Sequence, residues 1–518
     1  MSQTKIIATY RVQAALAHAQ TLATAIAYEQ TVELPVALVT DRYVNENVVG
    51  EVLTVTEDGP RHCRVRIAYA KDLGDLHLSQ LLNLLYGNVS IHGNVRLVDV
   101  HLPDSVIAGF HGPNFGVEGV RELLGVYGRP LLATALKPNG LAASELAKIA
   151  HDFALGGGDI VKDDQNLTNN FEVFKDRTAQ CAQAVAEAEQ QTGRRCLYLP
   201  HVLAPGPDLR QHFDYVKALG LSGALICPLI AGLDTTRVLA REYNLLVMAH
   251  PSMSGSYTSQ SDGGIDHGVL LGTLFRLAGA DISVFPHAGG RFTFSPDACT
   301  RISDALRQPL GDVLRTWAAP AGGMQFDNVS ELGAYYGVDT VMLIGGALLG
   351  HGANLAHATK AFQARIAQTF SEASTTAPAP PDASVPRPLE ERHFAFDGDY
   401  EWRARPSSPY KDAADSSFKA VRRVELVGKY GEHTNADLRY FEIEPGGYSS
   451  LEHHLHTHIV IGARGEGVLQ LGNERVKLDV NDVAYIEPME VHQLRNETDA
   501  RFGFYCIVDH GRDRPRRL

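Results

Sequence analysis

The sequence predicts an α/β chain in three folded parts: an α+β N-terminal unit, a (β/α)8 barrel and an all-β C-terminal domain. Three observations carry this. Strand-like and helix-like segments alternate regularly from residue 126 to residue 370, which is the pattern a closed parallel barrel needs. A stretch rich in Ser, Thr, Ala and Pro begins at residue 371. Beyond it, short strands recur between turns without a helical period. The expected division is 1–125, 126–370, a linker over 371–393, and 394–518.

Each part follows from its residues. In the first, "IIATYRV" and "HCRVRIAYA" read as strands, and "AQTLATAIAYEQ" and "LSQLLNLLYG" as helices. In the second, the strand candidates are "LLATALK", "GDIVKDD", "CLYLPHV", "GALICPL", "LLVMAH", "DISVFPH", "WAAPAGG" and "TVMLIGG". Helical segments such as "ASELAKIAHDFALGG" and "GVLLGTLFRLAGA" lie between them. Eight strands with crossovers make a barrel, and errors at their boundaries leave the count intact. The linker core, "SEASTTAPAPPDASVPRP", has too little apolar surface to pack and is expected to be extended.

Bulk properties exclude several functions. A chain of 518 residues suggests about three domains. Its net charge of -13 argues against a sequence-independent nucleic-acid binder. The six cysteines show no C-x-x-C pair, which points to a reducing, cytoplasmic setting and away from disulfides or a cysteine zinc site. The first residues lack a signal-peptide core, and no apolar run reaches the roughly 20 residues of a membrane span.

The chemistry of such barrels sits at the C-terminal ends of the strands. Those ends carry Lys137, then Lys162 with Asp164 and Gln165, then His201, His250 and His287. Gly322–Gly323 and Gly345–Gly346 follow strands seven and eight, where barrels bind phosphate through bare backbone N–H groups. Taken singly, a strand-end histidine is more often structural, and His201 is read that way; glycine pairs are often only turns. Their joint placement on one rim favours a phosphosugar site.

These residues resemble a known family. "GGGDIVKDDQN" resembles the segment of RuBisCO large chains and RuBisCO-like proteins that carries a carbamylated lysine and two metal-binding acids. "TALKPNG" resembles their first-strand lysine motif, and "APAGGM" and "LIGGALLGHG" their phosphate-binding glycine segments. The resemblance spans roughly residues 1–370 and implies a ferredoxin-like N-terminal domain before the barrel. It implies Mg²⁺ held by Asp164, Gln165 and Lys162 as its carbamate, with Lys137 and His250 catalytic. Glu29 and Asn88 would be lent to a partner subunit's site, so a homodimer or larger assembly is expected. Gly322, Gly323, Gly345, Gly346 and Arg291 would hold the phosphate.

The departures are also informative. Gln165 stands where the family has a second acid, and Asn139 where carboxylating members have a second lysine. The loop after strand six, "FPHAGGRFTF", holds Arg291 and no lysine. The resemblance therefore implies a RuBisCO-like protein that enolises a phosphorylated ketose and does not fix carbon dioxide.

The last part resembles a cupin over most of residues 420–510. Counting back from Gly465 places His458, His454 and Glu452 at motif positions, and "PMEVHQLRN" adds His492. On one continuous strand Glu452, His454, His456 and His458 would share a face. Imidazole and carboxylate together suit Mn²⁺ or another divalent transition metal. Whether Glu452 or His456 completes the set is open at this level.

The combination is similar to two enzymes in one chain. Some RuBisCO-like proteins isomerise 5-methylthioribulose 1-phosphate to 1-methylthioxylulose 5-phosphate by a 1,3 proton transfer. A cupin then releases methanethiol, leaving 1-deoxyxylulose 5-phosphate, with a thiol reductant as the implied co-reactant. This is the expected function: salvage of methylthioadenosine sulfur, feeding isoprenoid precursors. A 2,3-diketo-5-methylthiopentyl-1-phosphate enolase and a sugar-acid-phosphate decarboxylase stay open as alternatives, as does a sensory or structural cupin.

Overall fold

The computed structural model describes residues 5–74, 77–168, 170–290, 292, 294–350, 354–371, 393–410, 417–428, 436–453, 457–487, 490–509 and 516–517. Contacts divide the chain into two compact units, 1–378 and 379–518. Residues 372–392 of the expected linker lie outside the described residues.

The first unit opens with β1 (Lys5–Val12), β2 (Glu51–Glu57), β3 (Cys63–Ala70) and β4 (Val95–His101). Strict alternation in "CRVRIAYA" buries Cys63, Val65, Ile67 and Tyr69. Helices α1 (Leu16–Glu29) and α2 (Leu78–Tyr86) send Ala19, Ala23, Ile26, Leu78, Leu81 and Leu85 into the same core. This is the α+β domain the sequence predicts.

Eight parallel strands follow: β5 (Leu131–Leu136), β6 (Ile160–Asp163), β7 (Leu197–Leu199), β8 (Gly223–Ile226), β9 (Leu246–Ala249), β11 (Ile282–Pro286), β12 (Trp317–Ala321) and β13 (Val341–Leu343). A two-residue strand between them, β10 (Gly264–Ile265), leaves the barrel and pairs with β4, which no sequence pattern announces. The sheet order is β7-β6-β5-β13-β12-β11-β9-β8. A parallel bridge from His201 to Leu225 joins its two edges. All eight strands read in the sequence are present.

Side-chain alternation sorts the barrel into two layers. Leu131, Ala133, Ile160, Leu197, Leu199, Leu225, Met248, Val284 and Trp317 form one cluster inside it, floored by Val117, Val120 and Leu124. Val161, Tyr198, Ala224, Val247 and Phe285 face the surrounding helices instead. The helix read over "GVLLGTLFRLAGA" is π-helical from Gly268 to Leu274 before α-helical geometry resumes. Gly272 lies so close to Ala305 that a Cβ there would sit 2.5 Å from the alanine's, and the wider turn accommodates that approach.

The second unit is all-β. Its strands are β14 (Phe396–Gly398), β15 (Glu401–Trp402), β16 (Ser407–Pro409), β17 (Lys419–Val427), β18 (Ala436–Tyr448), β19 (Glu452–His453), β20 (His458–Arg464), β21 (Gly467–Leu471), β22 (Glu474–Leu478), β23 (Val483–Ile486), β24 (His492–Arg495), β25 (Phe502–Asp509) and β26 (Arg516–Arg517). Phe441, Ile443, Val460, Leu469, Ile486, Leu494, Phe504 and Val508 pack as its interior. One expectation is corrected here. Residues 452–458 do not form a single strand: β19 ends at His453, Thr457 is outside any strand, and β20 begins at His458. Glu452 pairs with His492 on β24, whereas His458 pairs with Ile486 and Val508. The chain thus changes strand partners within the motif, which simple alternation cannot foresee.

Candidate active site

Position along β6 decides which polar side chain enters the barrel. Ile160 belongs to the interior cluster, so Lys162, two residues on, shares its face. Lys162 is 2% exposed and its Nζ donates to the Asp163 carbonyl at 3.0 Å. Burial, reinforced by the nearby Lys137 charge, lowers its pKa to about 8 against the pull of Asp164. Such an amine is neutral far more often than an ordinary lysine.

Asp163 takes the other face with Val161. It is fully buried and accepts from Arg177 Nε at 3.0 Å, Tyr198 OH at 2.8 Å and the His201 N–H at 3.1 Å. Arg177 lies on the helix Phe171–Thr192, so this carboxylate pins that helix to the strands. The two adjacent aspartates therefore have different work. Asp164 turns back to the rim, where its Oδ2 lies 3.0 Å from Lys137 Nζ and its Oδ1 accepts the Asn166 N–H. Burial pushes its pKa up, but the Lys137 and Asn166 donors outweigh that and hold it below the usual carboxylate range.

The histidines complete the rim. His201 is fully buried, and burial together with the Lys162 and Arg177 charges lowers its pKa to about 3; its Nε2 is 3.5 Å from Cys227 Sγ. His250 is likewise lowered to about 3, first by burial and then by Lys162 and His201. Its Nδ1 accepts the Ser252 N–H at 3.3 Å and contacts Ser252 Oγ at 2.8 Å. Nδ1 is thus an acceptor, and the neutral ring carries its proton on Nε2. His287 contacts Tyr336 OH at 2.8 Å through Nδ1. Ser252 and Tyr336 are positioning groups that sequence reading missed, because neither belongs to a strand-end motif.

Two of the four rim glycines adopt a left-handed backbone. Gly322 and Gly323 have φ of 82° and 73°, a region open to glycine without strain. A Cβ on Gly323 would stand 2.9 Å from the Gly290 Cα. Gly322, Gly345 and Gly346 face open space. Arg291 lies outside the described residues. In the N-terminal domain Asn88 Nδ2 donates to Glu29 Oε1 at 3.0 Å, bringing together two residues far apart in sequence.

The second unit has its own cluster. Glu452, His458 and His492 are all buried. Glu452 and His492 are direct cross-strand partners, and the His458 and His492 rings lie 5.2 Å apart. Ser450 Oγ donates to Glu452 at 2.6 Å. His492 Nδ1 lies 2.9 Å from the Glu490 carbonyl. A carbonyl only accepts, so Nδ1 carries the proton and Nε2 of the neutral ring is the unprotonated nitrogen. His454 and His456 lie outside the described residues.

Metal fit differs between the two sites. Among the described residues no three His, Cys, Asp or Glu side chains stand close enough to surround an ion. In the barrel, Asp164 offers a buried oxygen, and the depressed pKa of Lys162 suits conversion to a carbamate, which would supply the missing anion; the residues fit Mg²⁺ in that form. In the second unit the imidazole and carboxylate donors suit a transition metal.

Residues 1–106 match the family of the ribulose bisphosphate carboxylase large chain, N-terminal domain; residues 116–291 match its catalytic domain. Residues 439–508 match the cupin domain. The chain is 41% identical over 365 residues to "Ribulose bisphosphate carboxylase-like protein 1" of Rhodopseudomonas palustris, covering 70% of this chain and 98% of that protein. It is 37% identical over 377 residues to "5-methylthioribulose-1-phosphate isomerase" of Rhodospirillum rubrum, covering 72% and 99%. The crystal structure of a Rubisco-like protein from Rhodopseudomonas palustris superposes with a TM-score of 0.65 at 36% identity, covering 71% and 99%.

Proposed function

The chain belongs to the RuBisCO large-chain family, with a cupin domain behind the catalytic one, and from that premise we propose that it is a two-step sugar-phosphate enzyme. The barrel isomerises 5-methylthioribulose 1-phosphate to 1-methylthioxylulose 5-phosphate, and the cupin then releases methanethiol. The observation that carries the first step is the Lys137–Asp164–Lys162 cluster on the barrel rim. The similarity to a named isomerase along nearly its whole length supports the choice of substrate. That similarity supports methionine salvage, and the lack of a lysine in "FPHAGGRFTF" argues against carbon fixation.

The chain's own groups divide the work. Gly322, Gly323, Gly345 and Gly346 hold the phosphate through backbone N–H groups, aided by Arg291. Lys137 Nζ, kept near the rim by Asp164, moves the carbon-bound proton. Neutral His250 donates from Nε2 to the oxygen that gains charge, without adding a competing positive charge. Mg²⁺, when held by Asp164, Gln165 and carbamylated Lys162, supplies Lewis-acid polarisation of the ketose oxygens. Glu29 and Asn88, already paired, act in a partner subunit's site, so the working form is at least a homodimer. The apolar surface of the same domain, with Leu34, Val36, Leu38 and Ile91 exposed, supports that association.

In the cupin, Glu452, His454, His456, His458 and His492 supply the ligands for Mn²⁺ or a similar metal, which would polarise the ketose. The carbon–sulfur bond beside the carbonyl breaks and a carbon–hydrogen bond replaces it. That exchange consumes two electrons and two protons. Two molecules of a thiol reductant provide them, becoming one disulfide as methanethiol leaves.

The test is phosphorus and proton NMR of the full chain with 5-methylthioribulose 1-phosphate in deuterium oxide. Deuterium on substrate carbon together with the isomerised ketose phosphate supports the barrel step. A reaction only with the diketo phosphate would make the chain an enolase instead.

A further inference from the structure

Across three neighbouring strands of the cupin, paired residues form rows whose side chains share a face. One row is Asp437, Val508 and His458. The next is Glu425, Arg439, Cys506 and Val460. Val460, Cys506 and Val508 belong to the interior cluster, so Arg439 points into the barrel on the wall that carries His458.

Arg439 is anomalous there. It is 8% exposed. Its Nη2 approaches Cys506 Sγ at 3.3 Å, its guanidinium lies 5.1 Å from the Phe441 ring centre, and its buried Nε has no hydrogen-bond partner. The facing carboxylate of Glu425 is engaged by Arg423 Nε at 3.1 Å. Among the described residues Arg439 forms no ion pair. A buried cation without a counter-charge is costly. Its fork of donors suits phosphate better than any neutral group.

We propose that Arg439 is the phosphate-recognition residue of a binding site inside the C-terminal barrel. It would hold the phosphate monoester of a small sugar phosphate whose ketose end lies on the Glu452, His458 and His492 cluster. Arg439 and His458 stand two strands apart and two residues along, about 12 Å between Cα atoms from regular sheet spacing. A five-carbon phosphate spans the gap once both side chains reach inward. Tyr410 lies between the two ends: its ring packs 5.7 Å from Phe441, and its OH lies 3.0 Å from Ser450 Oγ and 3.5 Å from Glu452. The identity of the ligand rests on the proposed function; the anion site rests on the arginine.

The experiment is calorimetric titration of the full chain with 1-deoxyxylulose 5-phosphate. The wild type is expected to bind two molecules per chain, one per unit. Arg439→Gln should weaken the second site by about 30-fold or more, the loss expected for charge-assisted hydrogen bonds, while Arg439→Lys recovers part of it. Barrel proton exchange should stay as in the wild type, and the unfolding midpoint should not fall, since the substitution removes an uncompensated buried charge. Sugar without phosphate should not fill the second site in either protein. Unchanged stoichiometry and affinity in Arg439→Gln, or equal filling by the neutral sugar, would overturn the proposal. Loss of the second site in a chain that releases no thiol would uphold the phosphate site and reject the thiol-release step alone.

Discussion

Asp163 and Asp164 are neighbours with opposite tasks, and replacing each separates fold from chemistry. Asp163→Ala removes a fully buried carboxylate that serves Arg177, Tyr198 and the His201 N–H. Arg177 is itself 3% exposed. Taking one member from such a pair costs about 3–5 kcal/mol, because the remaining charge stays in a dry site. For a unit spanning residues 1–378 that lowers the unfolding midpoint by about 4–6 °C. The partner of Asp164, Lys137, has a side chain 42% exposed, so that pair adds at most about 1 kcal/mol. Asp164→Asn should therefore move the midpoint by no more than about 2 °C while lowering proton exchange by about 100-fold or more. Scanning calorimetry of the full chain reads the first effect, and deuterium incorporation into substrate reads the second. Equal midpoints for the two variants would refute the division of labour. So would an Asp163→Ala chain that is fully stable and merely inactive.

The remaining predictions concern the ligands. Lys162→Ala should abolish barrel proton exchange and leave the chain folded; wild-type rates would remove Lys162 from the site. Gln165→Glu should tighten Mg²⁺ binding about tenfold by adding a charge, and unchanged affinity in a titration would mean that this residue is not a ligand. With its pKa at about 8, Lys162 is half neutral at that pH, against about 0.3% for an ordinary lysine. Activation by carbon dioxide should rise as pH passes upward through about 8, followed as labelled carbamate by carbon NMR, and Lys162→Ala should carry no label. The same depression means that the folded state binds fewer protons than the unfolded state between about pH 8 and 10.5. This one group therefore makes stability rise with pH across that window.

Much of this was legible in the sequence, for identifiable reasons. The eight barrel strands were readable because apolar runs alternate with helical periods, and the rim residues because each ends such a run. The opposed roles of Asp163 and Asp164 follow from alternation along β6, yet only the packed helix shows that Asp163 meets Arg177. Beyond Ser252 and Tyr336, three more features are not legible from local pattern alone. The strand β10 pairs far from its sequence neighbours and is only two residues long. The break at Thr457 divides a run whose alternation reads as one strand. Arg439 carries only a faint signal: it shares parity with Phe441 and Ile443 in "LRYFEI", a cation on the apolar face of a strand.

The central claim is that one chain performs two successive steps in separate units. The most direct measurement supplies full-length protein with 5-methylthioribulose 1-phosphate, a divalent metal and a thiol, and follows sugar phosphates and methanethiol together. The wild type should pass through 1-methylthioxylulose 5-phosphate to 1-deoxyxylulose 5-phosphate, releasing one methanethiol for each. His492→Ala should stop at the isomerised ketose at an unchanged rate, and Lys162→Ala should consume nothing. Undiminished methanethiol from His492→Ala, or isomerisation by Lys162→Ala at the wild-type rate, would contradict the account.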